Sequence, residues 1–250
     1  MKIHICTDYS LIPPYAVFLL LSCAAGLSLQ YLLNIKRGVN RRTAGFITLL
    51  APLMSFFFGL LLTYAASGGK KTGLSSMGGL FGMYASVFTL ALITRNSKET
   101  KVTIENCTLV LPLIYSISKT GCFFAGCCHG IPYDGPFCVE YTGKIHETGC
   151  IFPVQLAETV AFLVIFIAGM VMLKMKCRNI SVYILTTSAA AKGLLDFLRE
   201  SHTGKAFSLN QILCIITIAA GIIYYAAASK KARPAYSGTA VKQHNCGSAA

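Results

Sequence analysis

The sequence predicts an all-α polytopic membrane protein, with about seven transmembrane helices and a small extracytoplasmic head loop. Three observations predict it. The 250 residues are 54% hydrophobic and only 12% charged, where a soluble domain carries about 25% charged residues. Seven apolar runs reach or approach the roughly 20 residues that a spanning helix needs. Lysine and arginine gather in every second connection between those runs, which is the mark of the positive-inside rule.

The runs cover 12–35, 44–66, 75–95, 103–120, 153–174, 180–198 and 207–228. Glu105, Asn106 and Pro112 interrupt the fourth, and Lys192 and Asp196 lie in the outer end of the sixth. The connections "KRGVNRR", "RNSKETK", "KMKCR" and "KKARP", with the tail, hold 14 of the 22 Lys and Arg residues. This distribution places those connections and the C-terminus in the cytoplasm and the N-terminus outside. The net charge of +13 then reads as a topology signal with attraction to anionic lipid. A nucleic-acid partner is excluded, because no basic patch falls on a folded face. The opening "MKIHICTDYS" lacks the pattern of a cleavable signal peptide, so the first apolar run is expected to act as an uncleaved anchor.

Residues 1–230 are expected to form one membrane domain. Within it, 121–152 make the head loop, where the alternation around "FCVEY" predicts a short strand, paired as a hairpin with a neighbour. Residues 231–250 are polar, small and aperiodic and predict a disordered cytoplasmic tail.

Ionisable groups at membrane depth cost about 2.5–3.5 kcal/mol each on the insertion scale, so they face a bundle interior or a wet cavity. Lys119, Glu158, Lys192, Asp196 and Arg199 all fall near the outer ends of their runs. Lys192, Asp196 and Arg199 share one helical face at spacings of four and three. They read either as an internal ion pair with a snorkelling arginine or as an anion site lined by Lys192 and Arg199, oriented by Asp196 and joined by Lys119. Two or three cations converging in low dielectric suit a phosphate. Gln155 and Glu158, one turn apart in "FPVQLAETV", read as an interfacial polar pair or as a clamp on a headgroup. The small residues of "SSMGGLFG" serve helix packing or close approach to a ligand.

The stretch "SKTGCFFAGCCHGIP" carries three cysteines, Lys119 and His129. Cys122, Cys127, Cys128, Cys138 and Cys150 share this polar region. Three readings compete: disulfides that brace the loop, zinc ligation with His129 or His146, and thiol redox chemistry. The spacing lacks a partnered C-x₂-C pair, which weighs against metal and redox, and the pairing of five cysteines cannot be deduced.

These segments, in this order, resemble the prolipoprotein diacylglyceryl transferase family over roughly residues 12–228. "FPVQLAE" is similar to the family's His-Pro-Ser-Gln-Leu-Tyr-Glu stretch, matching at Pro153, Gln155, Leu156 and Glu158. "SKTGCFFAG" resembles its Gly-Arg-Ile-Gly-Asn-Phe-Ile-Asn-Gly signature at Gly121, Phe123 and Gly126. "KGLLDFLRE" resembles its Arg-Phe-x-x-Glu-Phe-x-Arg segment, "MGGLFG" its His-Gly-Gly-Leu segment, and "FSLNQIL" the start of its last helix. "PPYAVF" resembles the entry to its first helix, with Tyr15 at the tyrosine.

The resemblance implies a transfer of a diacylglyceryl group from phosphatidylglycerol, or a related anionic phospholipid, to a cysteine thiol of a lipoprotein precursor bearing its signal peptide. No cofactor is implied. Lys119 and Lys192 stand where the family has arginines, so both keep the charge without the two-pronged grip. Together with Arg199 they are the expected phosphate holders, supported by Tyr15, Gly121, Gln155, Glu158 and Asp196. Met77 replaces the family's histidine and takes no proton. Cys122 replaces an asparagine, and Cys127 an acidic residue. The base is then expected from His129, or from Lys119, or from no side chain. Two other classes stay open: a divergent lipid-binding paralogue with another acceptor or no catalysis, and a thiol-redox or metal protein built on Cys122, Cys127 and Cys128.

Overall fold

The computed structural model describes residues 2–8, 13–70, 72–143, 148–200 and 208–232. The residues form an all-helical bundle capped by a small two-stranded head. Its helices are α1 (Pro14–Lys36), α2 (Arg41–Ala66), α3 (Ser76–Thr94), α4 (Ser97–Ala125), α5 (Val154–Lys174), α6 (Ile180–Asp196) and α7 (Leu209–Ala232). α1 to α5 are long and apolar enough to cross a membrane. α6, at 17 residues, and the apolar stretch Leu209–Ile223 of α7 are shorter. Of the tail expected to be disordered, 233–250 lie outside the described residues, as does His146.

Helix starts follow side-chain caps. Asn40, Ser75 and Asn96 each accept backbone N–H groups at the first turn of α2, α3 and α4, which satisfies donors that have no partner within the helix. The cap at Asn96 explains a correction. α4 begins at Ser97 rather than at 103 and runs on to Ala125 rather than 120, through the first part of the expected head loop. The polar residues that seemed to interrupt it are paired. Arg37 at the end of α1 donates to Asn106 Oδ1 at 2.7 Å and to Glu105 Oε2 at 2.6 Å, while Asn106 donates to Asn34 Oδ1 at 2.8 Å. Pro112 stays inside the helix, as a bundle of neighbouring helices allows.

The outer faces are apolar. Leu20 and Leu49 are 72% and 73% exposed, and Phe56, Phe57 and Leu53 of α2 also point outward. Such a surface suits lipid rather than water. Polar groups turn inward instead: Gln30, Asn34, Asn106, Gln155 and Glu158 are fully buried. The "SSMGGLFG" question resolves toward packing. A Cβ at Gly78 would overlap the Phe58 carbonyl, and one at Gly82 would overlap the Met54 carbonyl, so these glycines let α3 lie against the backbone of α2.

The head corrects the expected hairpin. The strand in "FCVEY" is β2 (Val139–Thr142), and it pairs in parallel with β1 (Ile3–Cys6), Ile3 facing Val139 and Cys6 facing Thr142. Its partner is thus the N-terminal segment, which hydropathy does not flag. On its other side, Val139 and Ile151 exchange backbone hydrogen bonds of 3.0 and 2.9 Å. Cys138 and Cys150 form a disulfide across this head. Buried Tyr141 donates its hydroxyl to the Phe123 carbonyl at 2.8 Å, which pins the head to the last turn of α4.

Candidate active site

Glu158 is the hub of the interior. It lies one turn into α5 and is fully buried. Lys119 Nζ of α4 stands 2.9 Å from Oε2. Arg199, three residues beyond α6, donates to Oε1 at 2.7 Å and to Oε2 at 2.9 Å. Tyr115 donates its hydroxyl to Oε1 at 2.9 Å, and that same phenol oxygen accepts from Lys192 Nζ of α6 at 2.8 Å. Lys119 and Arg199 therefore meet on one carboxylate, and Lys192 joins them through the Tyr115 hydroxyl. Hydrogen bonds to charged groups contribute about 1.5–3 kcal/mol each. Burial raises the stakes, because removing one partner leaves an uncompensated charge.

Asp196 braces the second cation pair. Its Oδ1 is 3.7 Å from Arg199 Nε, and its Oδ2 accepts from the Ser208 hydroxyl at the start of α7. Glu158 also holds Arg199 well above the usual guanidinium range against the cost of burial. Among the described buried charges, three cations thus share two carboxylates, leaving one surplus positive charge. Lys192 has no carboxylate within ion-pair distance among the described residues; its contacts are the hydroxyl and the ring face of Tyr115, 4.8 Å away. Lys119 lies 5.3 Å from the centre of the same ring.

Tyr115 is the residue that sequence reasoning missed. The signal was there: it precedes Lys119 by one helical turn and so shares its face. Its ring packs on Phe162 at 4.2 Å between centroids, and Phe162 follows Glu158 by one turn.

The remaining expected residues distribute as follows. Gln155 donates to the Cys127 carbonyl at 2.8 Å, while its side-chain oxygen is buried without a partner among the described residues. Gly121 lets α1 approach: a Cβ there would meet Phe18 Cβ at 2.6 Å and Tyr15 Cα at 3.3 Å. Tyr15 therefore lies over this part of α4, within electrostatic range of Lys119 and the three loop cysteines. His129 sits beside Glu200, with Nδ1 3.8 Å from Oε2, and its ring lies 5.6 Å from that of Tyr141. Met77 is buried in an apolar cluster with Ala189 and Cys214.

A cavity of about 80 Å³ opens between the helices beside the cations. Lys192 and Tyr115 line it at one side, with Met77, Leu80, Phe162 and Ser188 around it. A larger cavity of about 610 Å³ lies at the opposite ends of α3, α4, α6 and α7, beside Arg95 and Lys101. None of the expected site residues lines the larger one, so the smaller cavity is the one joined to the chemistry.

The end of α4 explains the thiols. The Gly126 N–H donates to the Phe123 carbonyl at 3.4 Å and the Cys127 N–H to the Cys122 carbonyl at 3.1 Å. Together they make a Schellman ending, with Gly126 left-handed at φ 64°. That ending brings the residue after the glycine back over the last turn, and here those two side chains are Cys127 and Cys122. Cys128, also left-handed at φ 60°, returns a third thiol. The three sulfurs lie within 4.8 Å of one another. Hydrogen bonds from the Cys122 and Cys127 thiols hold the Cys128 thiol well below its usual range, with help from Lys119 and Arg199 and against burial.

A comparison with curated proteins finds no match to the chain. The family model for prolipoprotein diacylglyceryl transferase matches residues 15–227, a span that runs from Tyr15 through every helix and includes Lys119, Glu158, Lys192 and Arg199. With most of its length matched and its inward-facing charges gathered beside one cavity, the chain belongs to the prolipoprotein diacylglyceryl transferase family, a family of membrane transferases.

Proposed function

We propose that the protein moves a diacylglyceryl group from phosphatidylglycerol, or a related anionic phospholipid, to the cysteine thiol of a lipoprotein precursor. The observation that carries this reading is the surplus cation. Lys119, Lys192 and Arg199 come from three segments, and Glu158 and Asp196 leave one positive charge unmatched beside an apolar cavity. A phosphate headgroup supplies the missing charge, and the cavity takes the adjoining apolar part of the lipid.

In the reaction the acceptor thiol gives up its proton to water, and its sulfur forms a bond to the glyceryl carbon that carries the phosphate. The carbon–oxygen bond breaks, and the electron pair leaves on glycerol phosphate. Lys192 is best placed to follow that growing charge, since no carboxylate among the described residues engages it. Lys119 and Arg199 hold the same region positive while Glu158 keeps them in position. Tyr115 relays between them. Gln155 fixes the loop at Cys127, and Tyr15 and Gly121 set the wall against α1. In this reading all seven helices span, with the N-terminus and head outside and the C-terminal tail in the cytoplasm.

A second reading has one observation in its favour. Met77 lies in an apolar cluster where the family has histidine, and it moves no proton. A paralogue that binds phospholipid without this transfer fits that change. One experiment separates the two. A peptide carrying the cysteine of a lipoprotein signal is incubated with the purified protein and phosphatidylglycerol vesicles, and thioether product is measured by mass. Product that disappears in Lys119→Ala supports transfer. Lipid binding without product supports the second reading, and product unaffected by Lys119→Ala removes the cation site from the mechanism.

A further inference from the structure

We infer that Cys122, Cys127 and Cys128 form a zinc site whose open fourth position takes the acceptor thiol. The inference rests on the transfer reading above and supplies what that reading lacks, a way to generate thiolate without the histidine.

Three observations carry it. The three sulfurs lie within 4.8 Å of one another. A tetrahedral ion at about 2.3 Å from each thiolate needs sulfurs about 3.8 Å apart, so the site closes with a shift of about 1 Å. The backbone is built for it: the Schellman turn at Gly126 stacks Cys127 on Cys122, left-handed Cys128 adds the third, and Gln155 holds the Cys127 carbonyl. The residues grade from Cys122, buried in the last turn of α4, through half-buried Cys127 to exposed Cys128, so an incoming ligand would approach from the Cys128 side.

Charge selects the ion class. Three thiolates and a divalent ion carry a net negative charge, and Lys119 lies one helical turn before Cys122 on α4. Sulfur ligands and a compact tetrahedral cluster favour zinc over harder oxygen-seeking cations. Three protein ligands with one vacancy is the pattern of a reactive zinc rather than a structural one. The acceptor thiol enters that vacancy and releases its proton to water. Its sulfur, now a thiolate, forms the carbon–sulfur bond while glycerol phosphate leaves toward the cations. One proton is released per transfer, and no oxidant or reductant is consumed.

The test uses the full-length protein in detergent, with zinc and cobalt(II) as probes. The protein should purify with one zinc per chain. Cobalt(II) should give thiolate-to-metal absorption, and a cysteine peptide should shift that absorption while its serine counterpart does not. Cys122→Ser, Cys127→Ser and Cys128→Ser should each lose more metal affinity than the roughly 10–100-fold typical of an outer-sphere change, whereas Cys6→Ser should keep it. Circular dichroism shows which variants remain folded. Reduced thiols that bind neither metal, or a disulfide among the three cysteines, would overturn the site. A bound metal whose spectrum ignores the cysteine peptide would overturn its role. Metal bound with no thioether product sinks the transfer reading instead, and full transfer by the metal-free protein sinks only the zinc.

Discussion

The two ends of α4 hold polar clusters of opposite design. At its start, Arg37 meets Glu105 and Asn106, and Asn106 meets Asn34. One cation faces one carboxylate, and the amides satisfy one another. At its far end, Lys119 and Arg199 share Glu158, Arg199 also faces Asp196, and Lys192 is tied in through the Tyr115 phenol. The first cluster is balanced and ties α1 to α4. The second is unbalanced, and a bilayer interior penalises unbalanced charge. The matched pair reads as a joint, and the mismatch is what the proposed lipid site rests on.

The largest expected effect comes from removing the hub. Glu158→Ala strands two buried cations and should cost about 3–5 kcal/mol, read as a fall in the unfolding temperature of the solubilised protein. A loss no greater than that of Arg37→Met would mean that the cations are not held by this carboxylate.

Next comes the cation without a carboxylate. Lys192→Met should lower unfolding less than Glu158→Ala, because it breaks the hydrogen bond to Tyr115 but no ion pair. It should weaken binding of phosphatidylglycerol by about 10- to 150-fold, the equivalent of one charged hydrogen bond, with phosphatidylcholine as the control lipid. Equal loss for both lipids would show that the charge is not what selects the headgroup.

The smallest effect belongs to the balanced end. Arg37 and Glu105 are partly exposed, so Arg37→Met should cost only about 1 kcal/mol and leave lipid affinity where it was. A tenfold change in phosphatidylglycerol binding would erase the distinction between joint and site.

Much of this was legible in the chain. Hydropathy located all seven helices to within a few residues at most ends, because the bilayer demands long apolar runs. The fourth was shortened at its start, since "SKETK" looks like a loop until the Asn96 cap makes it a first turn. The inward placement of the cations was legible too, because a charge in an apolar run is expensive and turns toward the bundle interior. Tyr115 was not, since a tyrosine in such a run resembles any other aromatic until its hydroxyl finds a partner. The β1 partner of β2 escaped for a different reason: a four-residue strand far away in sequence leaves no local pattern.

The sequence by itself determined the helices, the basic connections and the level at which the ionisable residues lie. These follow from local composition and from the cost of charge in hydrocarbon. Only the tertiary structure decided which carboxylate the cations share, which cysteines pair and which three stay together. Those outcomes depend on distances between segments far apart in the chain, and side-chain chemistry is selected there by geometry rather than by spacing.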